Sequence, residues 1–199
     1  LHKEYRRQRQ MCIRDSAYGI GNKINSIITM PANGIGSAIS TIVGQNIGAG
    51  QQERADKAYH YALRMGALFL LFFGLILSRR FISQAMVTFF STDERVIPLA
   101  TDFLSLMAFW CWSNAFYNVT QGLFQGSGHT MITMIVDASR IWIFRLLTLW
   151  VCANMLNMGV ESVWYAVVIS NGTSAAILFA LYWTGIWKKS TIKIEKTES

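Results

Sequence analysis

The stretch IVGQNIGAG, residues 42–50, closes a run of uncharged residues that begins at Ile24 and ends at Gln52. It is not a phosphate-binding loop, because only three residues separate Gly44 from Gly48 and no lysine follows them. The dinucleotide fingerprint fails too, since no G-x-G triplet of the chain has a third glycine at the required spacing. The run instead predicts a helix that crosses a membrane and ends at its glycines.

Small residues occupy every fourth position of this predicted helix. The resulting ridge consists of Ala32, Gly36, Ser40, Gly44 and Gly48. Residues at this spacing share one helix face, and small side chains let two backbones approach closely in lipid. We therefore predict that this small-residue ridge packs against another helix, and that residues 48–50 form a C-terminal cap.

The composition favours a membrane protein throughout. Hydrophobic residues make up 52% of the chain and charged residues 15%, against roughly 25% charged residues in soluble domains. A membrane span needs about 20 apolar residues. The predicted spans are residues 24–49, 59–78, 103–125, 131–155 and 162–187. We expect an all-α integral membrane protein with five transmembrane helices and a short interfacial helix formed by FISQAMVTFF, residues 81–90.

The two ends of the chain are more polar than the predicted spans between them. Residues 1–16 are rich in charge, and we expect them to be non-native or disordered, without packing against the helices. Residues 190–199 are expected to form a tail. Because Lys188, Lys189 and the tail lysines share one predicted side with Arg54 and Lys57, the positive-inside rule places the C-terminus in the cytoplasm.

Amide side chains form a stripe along the third predicted span. The stripe consists of Asn114, Asn118, Gln121 and Gln125, with Trp110 one turn earlier and Val119 expected to face outward. A second polar stripe on the first span includes Asn33. Unpaired amides are costly in hydrocarbon, so both stripes must face other helices or a water-filled cavity. Two stripes in one chain favour a translocation cavity over hydrogen bonding between helices alone.

The fourth predicted span carries the intramembrane charges Asp137, Arg140 and Arg145. Asp137 and Arg140 are one turn apart and can pair, which lowers the cost of holding them in the membrane. Arg145 has no partner within its own turn. The histidines and cysteines show no metal-ligand spacing. We therefore expect no metal, no cofactor, no catalytic residues and no nucleic-acid partner.

Several segments, taken in order, resemble the C-terminal lobe of a MATE (multidrug and toxic compound extrusion) transporter. They are TIVGQNIGAG (41–50), RADKAYHYALR (54–64), GLFQGSGHT (122–130), RIWIFRL (140–146) and the helix beginning WYAVVISNG (164–172). The resemblance covers residues 17–189 and implies helices eight to twelve of a twelve-helix fold with two six-helix lobes. Helix seven and the whole N-terminal lobe would be the missing partners.

The resemblance implies export of small organic cations from a bacterial-type inner membrane in exchange for Na⁺ or H⁺, by alternating access. Some sodium-coupled relatives carry a carboxylate where this chain has Asn114, so the coupling ion stays open. A lipid-linked oligosaccharide flippase of the same superfamily is the alternative, although it would need a strongly cationic cavity. A membrane-embedded enzyme is a third reading, and it lacks the clustered residues that catalysis requires.

Overall fold

The computed structural model describes residues 2–155 and 161–188, and within these residues the chain is helical without any strand. A π-helical turn at Arg140–Arg145 joins α6 to α7, and a 3₁₀ turn at Ile186–Lys188 follows α8. The α-helices are α1 His2–Gly48, α2 Gln52–Leu77, α3 Arg80–Phe90, α4 Val96–Trp110, α5 Trp112–Gly126, α6 Thr130–Ser139, α7 Leu146–Asn154 and α8 Glu161–Trp183. The predicted all-α class is confirmed, and the tail at 190–199 lies outside the described residues.

Among the described residues, three helical segments are long and apolar enough to cross a membrane. They are Asp15–Gly48, Gln52–Leu77 and Ser162–Trp183. Helices α4 and α5 make a fourth span if they are taken as one broken helix, bent by 50°. The span predicted at 103–125 corresponds to this broken pair, which starts earlier, at Val96, and breaks at Cys111.

The bend lies in close contact with α2. A Cβ added to Gly74 would lie 2.5 Å from the carbonyl oxygen of Ala108, and the Cys111 thiol donates to the Leu70 carbonyl at 3.2 Å. The predicted span at 131–155 corresponds to α6, the π turn and α7 in succession, and its crossing of a membrane stays a prediction. The π turn keeps the helix continuous, whereas the break at Cys111 bends it, and both change which side chains share a face.

The short helix predicted at 81–90 is α3, which is too short to cross a bilayer. Ser83 and Val87 face the bundle, whereas Phe81 and Phe89 are exposed. Arg80 at its start pairs with Asp102 of α4, with 3.2 Å between the guanidinium nitrogen and the carboxylate oxygen. The apolar outward face fits a helix lying in the membrane interface, and that position stays a prediction.

The N-terminal residues are helical rather than disordered in the part that the structure describes. Helix α1 begins at His2 and continues without a break through Pro31 to Gly48. Ile13 is half-buried and packs against the cluster that contains Ala17 and Ile24. The expectation that residues 1–16 make no packing contact is therefore wrong at Ile13, because the apolar face of α1 continues into this segment.

The small-residue ridge of α1 packs against α5 over most of its length. A Cβ on Gly36 would lie 2.6 Å from the carbonyl oxygen of Asn118, and one on Gly44 would lie 3.3 Å from that of Gly126. The contact is reciprocal, since a Cβ on Gly122 would meet the backbone of Gly36 and one on Gly126 that of Ser40. Ala32 is buried as well. A Cβ added to Gly48 would meet nothing within 4 Å, so the contact of the ridge with α5 ends at Gly44.

Glycines terminate α1 in the way that the sequence indicates. Gly50 has a φ of +73°, and its amide donates to the carbonyl of Ile47, while the amide of Gln51 donates to that of Asn46. These two hydrogen bonds define a Schellman motif, in which a left-handed glycine satisfies the last carbonyls of a helix. The reversal leads directly into α2.

The main core lies among α1, α2, α5 and α8, where Val43, Tyr59, Leu123 and Leu178 are fully buried. Val119 belongs to this core with no exposed surface, so the expectation that it faces outward is wrong. The Gly36–Gly122 crossing draws α5 into the middle of the bundle, and both flanks of α5 are therefore covered.

Candidate functional site

A polar groove of about 350 Å³ opens between α1, α5 and α6. Every residue that lines this groove has a polar side chain. They are Thr29, Asn33, Asn114, Tyr117, Asn118, Gln121, Asp137 and Arg140. A cavity with this lining inside an apolar bundle can hold water or a charged ligand, because its walls supply hydrogen bonds that lipid does not.

The close crossing of α1 and α5 brings the two predicted polar stripes together. Thr29 and Asn33 come from α1, about two turns and one turn before the contact at Gly36, respectively. Asn114, Asn118 and Gln121 come from α5 at i, i+4 and i+7, which places them on one helix face. The amide stripes therefore line a shared groove as well as flanking a helix contact.

Asp137 of α6 stands at the centre of the hydrogen bonding in this groove. The Tyr117 hydroxyl donates to its Oδ1, and the Gln121 amide nitrogen donates to its Oδ2 at 2.8 Å. Arg140 pairs with it, with 3.3 Å between Nη2 and Oδ1, as their spacing in the sequence predicts. Three donors thus hold one half-buried carboxylate.

Arg140 also covers an aromatic face. Its guanidinium carbon lies 4.6 Å from the centroid of the Tyr117 ring, within the range of a cation–π contact. Arg140 is the first residue of the π-helical turn, whereas Asp137 belongs to the preceding α-helix. Single π turns inside α-helices occur frequently at functional sites.

The amides of α5 leave acceptors for a ligand. Asn118 donates its amide nitrogen to the backbone carbonyl of Asn114 at 2.8 Å, so its amide oxygen remains available. Carbonyl and amide oxygens solvate cations at membrane depth in carriers. The groove therefore combines one carboxylate with neutral oxygen acceptors.

Three predicted site residues lie elsewhere. Gln125 is exposed and is not part of the groove lining. Trp110 precedes the break at Cys111, so the bend separates it from Asn114, and it stacks with Trp112 at 6.3 Å. Arg145 is half-buried, and its Nε has no hydrogen-bond partner within the described part of the chain.

Tyr117 is the lining residue that the sequence reasoning missed. It lies at i+3 from Asn114 and i−4 from Gln121, so helical periodicity already placed it on the amide face. The entry of Asp137 into the groove was not predicted either, because no sequence pattern tells which face α6 presents to α5. Across residues 2–155 and 161–188, no group of three His, Cys, Asp or Glu side chains could hold a metal ion.

The fold and the groove define a multi-pass, all-helical membrane protein with a polar site between its helices. A family model described as MatE matches residues 16–151. Since this match covers more than half of the chain, the chain belongs to the MatE family, which confirms the resemblance read from its motifs.

Curated relatives and a solved structure agree with this assignment. The chain is 23% identical over 177 residues to the probable multidrug resistance protein NorM of Thermotoga maritima, with 89% of this chain and 38% of that protein covered. It is 26% identical to Protein DETOXIFICATION 9 of Arabidopsis thaliana, with 81% and 33% covered. The chain thus spans little more than a third of the length of these relatives.

The crystal structure of the eukaryotic MATE transporter AtDTX14 is similar at a TM-score of 0.80 and 21% identity, with 89% of this chain and 39% of that one covered. At this level of identity the likeness shows the fold. It extends over all but a tenth of the chain, so the arrangement of the helices is that of a MATE transporter.

Proposed function

We propose that this chain is part of a secondary active multidrug efflux antiporter that exports small organic cations in exchange for Na⁺ or H⁺. The observation that carries the proposal is the groove, in which Asp137 is the one carboxylate among eight polar lining residues. A carboxylate beside amide oxygens attracts a cation, and the aromatic ring of Tyr117 adds a surface on which a flat cation can stack.

Transport needs a second body against which this one moves. Alternating access is a rocking of two repeats around a site between them, and this chain spans about two fifths of its relatives. The missing N-terminal lobe is therefore the proposed partner within the same protein, and the bilayer surrounds both. The positive-inside rule supports a cytoplasmic C-terminus in a bacterial-type inner membrane.

A flippase for lipid-linked oligosaccharides is the weaker candidate. Such a cargo carries a pyrophosphate, which requires a surplus of positive charge in the cavity. Here Arg140 is paired with Asp137, and Arg145 is not among the groove residues. The negative charge of Asp137 and the positive charge of Arg140 therefore cancel, and a pyrophosphate finds no surplus of positive charge in the groove. A cation, by contrast, can take the place of the arginine beside the carboxylate.

Gln121→Leu in the complete transporter is expected to lower efflux of ethidium by about fivefold, the equivalent of one hydrogen bond worth roughly 1 kcal/mol. Gln121 is chosen over Asn118 because the Asn118 Cβ lies beside Gly36, where a leucine would also disturb the helix crossing. The measurement is cellular accumulation of ethidium at matched membrane abundance.

Gln125→Leu is the matched control, since it makes the same change one turn further along α5 at an exposed site outside the groove. Its efflux should equal that of the wild type. If Gln121→Leu exports ethidium as well as Gln125→Leu and the wild type do, the amide stripe only joins helices. If the wild type itself exports no ethidium, the proposed function is wrong.

A further inference from the structure

The carboxylate of Asp137 already binds a cation in this structure, and that cation is the side chain of Arg140, three residues further along the chain. The Arg140 guanidinium lies 3.3 Å from the carboxylate and 4.6 Å from the centre of the Tyr117 ring. It therefore fills the two features, a negative charge and an aromatic face, that would recognise a flat organic cation. The guanidinium shows by its own position that a planar cation fits there.

The pairing of Arg140 is incomplete, which makes it exchangeable. Its Nε is buried and has no hydrogen-bond partner within the described residues. An unsatisfied buried donor costs free energy, so the bound position of Arg140 is less favourable than a fully hydrogen-bonded one. Both side chains also keep some contact with solvent, with 23% of Arg140 and 34% of Asp137 exposed.

The carboxylate does not depend on Arg140 for its position. Tyr117 donates to one oxygen and Gln121 donates to the other, and both donors belong to α5. If Arg140 moves away, these two hydrogen bonds can still hold Asp137 in the groove. The site is therefore preorganised for a replacement cation.

The backbone of Arg140 stays attached to α6, so only its side chain has to move. Asp137 lies in α6, whereas Arg140 begins the π-helical turn that continues to Arg145. The Arg140 amide donates to the carbonyls of Val136 and Asp137, so rotation of the long arginine side chain alone moves the guanidinium away while α6 keeps its hydrogen bonds. The arginine can thus leave without moving the aspartate.

We propose that Arg140 is a tethered counter-cation that closes the groove, and that a monovalent organic cation binds by displacing it from Asp137 and from the Tyr117 ring. This inference rests on the proposed function, since it concerns cation binding in the same groove. The apparent affinity of the ligand is reduced by the fraction of molecules in which the arginine has moved away. Removing the arginine charge therefore strengthens binding.

The test is titration of the purified complete transporter with ethidium, followed by fluorescence anisotropy. Arg140→Gln is expected to lower the dissociation constant by about tenfold, which corresponds to a groove that is open about a tenth of the time. Arg145→Gln removes the same charge from the same π turn outside the groove lining, and it should change the constant by less than about twofold. This control separates displacement from a general change of charge.

The effects of changes at Asp137 and Arg140 on ethidium binding should also depend on each other. In an Asp137→Asn background, adding Arg140→Gln should produce a much smaller gain than in the wild type, because the arginine no longer competes for a carboxylate. If Arg140→Gln does not fold, Arg140→Lys keeps the charge with a weaker planar contact and should still bind ethidium more tightly than the wild type.

An Arg140 variant that folds and binds ethidium as the wild type does, or more weakly, overturns the proposal. That result leaves the proposed function standing if the wild type still exports ethidium from cells. Wild-type protein that neither binds nor exports organic cations overturns the proposed function as well, so the two failures are distinguishable.

Discussion

Gly36→Ala in the complete transporter is expected to cause a large loss of folded protein, although alanine is the better helix former. The added Cβ would lie 2.6 Å from the carbonyl oxygen of Asn118, which belongs to the backbone of α5 and cannot rotate away. Overpacking of this kind costs about 1 to 3 kcal/mol or more, against total stabilities of about 5 to 15 kcal/mol. The measurement is the monodisperse yield after detergent extraction and its thermal unfolding midpoint.

Gly48→Ala is the matched control for this prediction. Gly48 belongs to the same small-residue ridge in the sequence, but a Cβ there meets nothing within 4 Å. Alanine should leave the yield unchanged or raise it slightly, because glycine costs up to about 1 kcal/mol within a helix. If both variants give the same yield, the tight crossing of α1 and α5 does not exist in the folded transporter.

The sequence predicted the α1 face of the crossing between α1 and α5, but not its α5 face. The ridge of α1 stood out because its small residues recur five times within an uncharged run. Its counterpart on α5, the pair Gly122 and Gly126, is not identified as a packing face from the sequence, although it has the same four-residue spacing. Spacing shows that a helix has a flat face, whereas the partner of that face depends on tertiary packing.

The polar groove was predictable where helical periodicity holds and was missed where the helix changes. Asn114, Asn118 and Gln121 line the groove as their spacing indicates, because α5 is regular from Trp112 to Gly126. Trp110 was placed on the same face by extending that period across Cys111, where the structure bends by 50°. Neither proline nor glycine marks this bend, so local sequence rules gave no sign of it.

The role of Asp137 could be recognised only from the structure, for a similar reason. Its pairing with Arg140 follows from a separation of three residues in a helix. Its contacts with Tyr117 and Gln121 join α6 to α5 across sixteen or more residues of chain, and no periodic pattern encodes them. The π turn after Ser139 is likewise invisible in composition, because its residues are ordinary helix formers.

Asp137→Asn in the complete transporter is expected to reduce ethidium efflux by at least about tenfold. The change removes the groove's carboxylate, whose interaction with a charged ligand is worth about 1.5 to 3 kcal/mol, and each 1.4 kcal/mol is about a factor of ten. It also leaves no negative charge among the residues that line the groove, so an entering cation loses its counter-charge altogether. The loss should therefore exceed that of Gln121→Leu.

The matched control is Asp102→Asn, which removes a carboxylate from an exposed ion pair with Arg80 at the other end of the bent span. Exposed pairs contribute about 0 to 1 kcal/mol, so this variant should retain its efflux and abundance. The assay compares ethidium accumulation in cells that carry equal amounts of each variant in the membrane. Because asparagine has nearly the shape of aspartate, a folded Asp137→Asn protein with full efflux would mean that the cation crosses the bilayer without using this carboxylate.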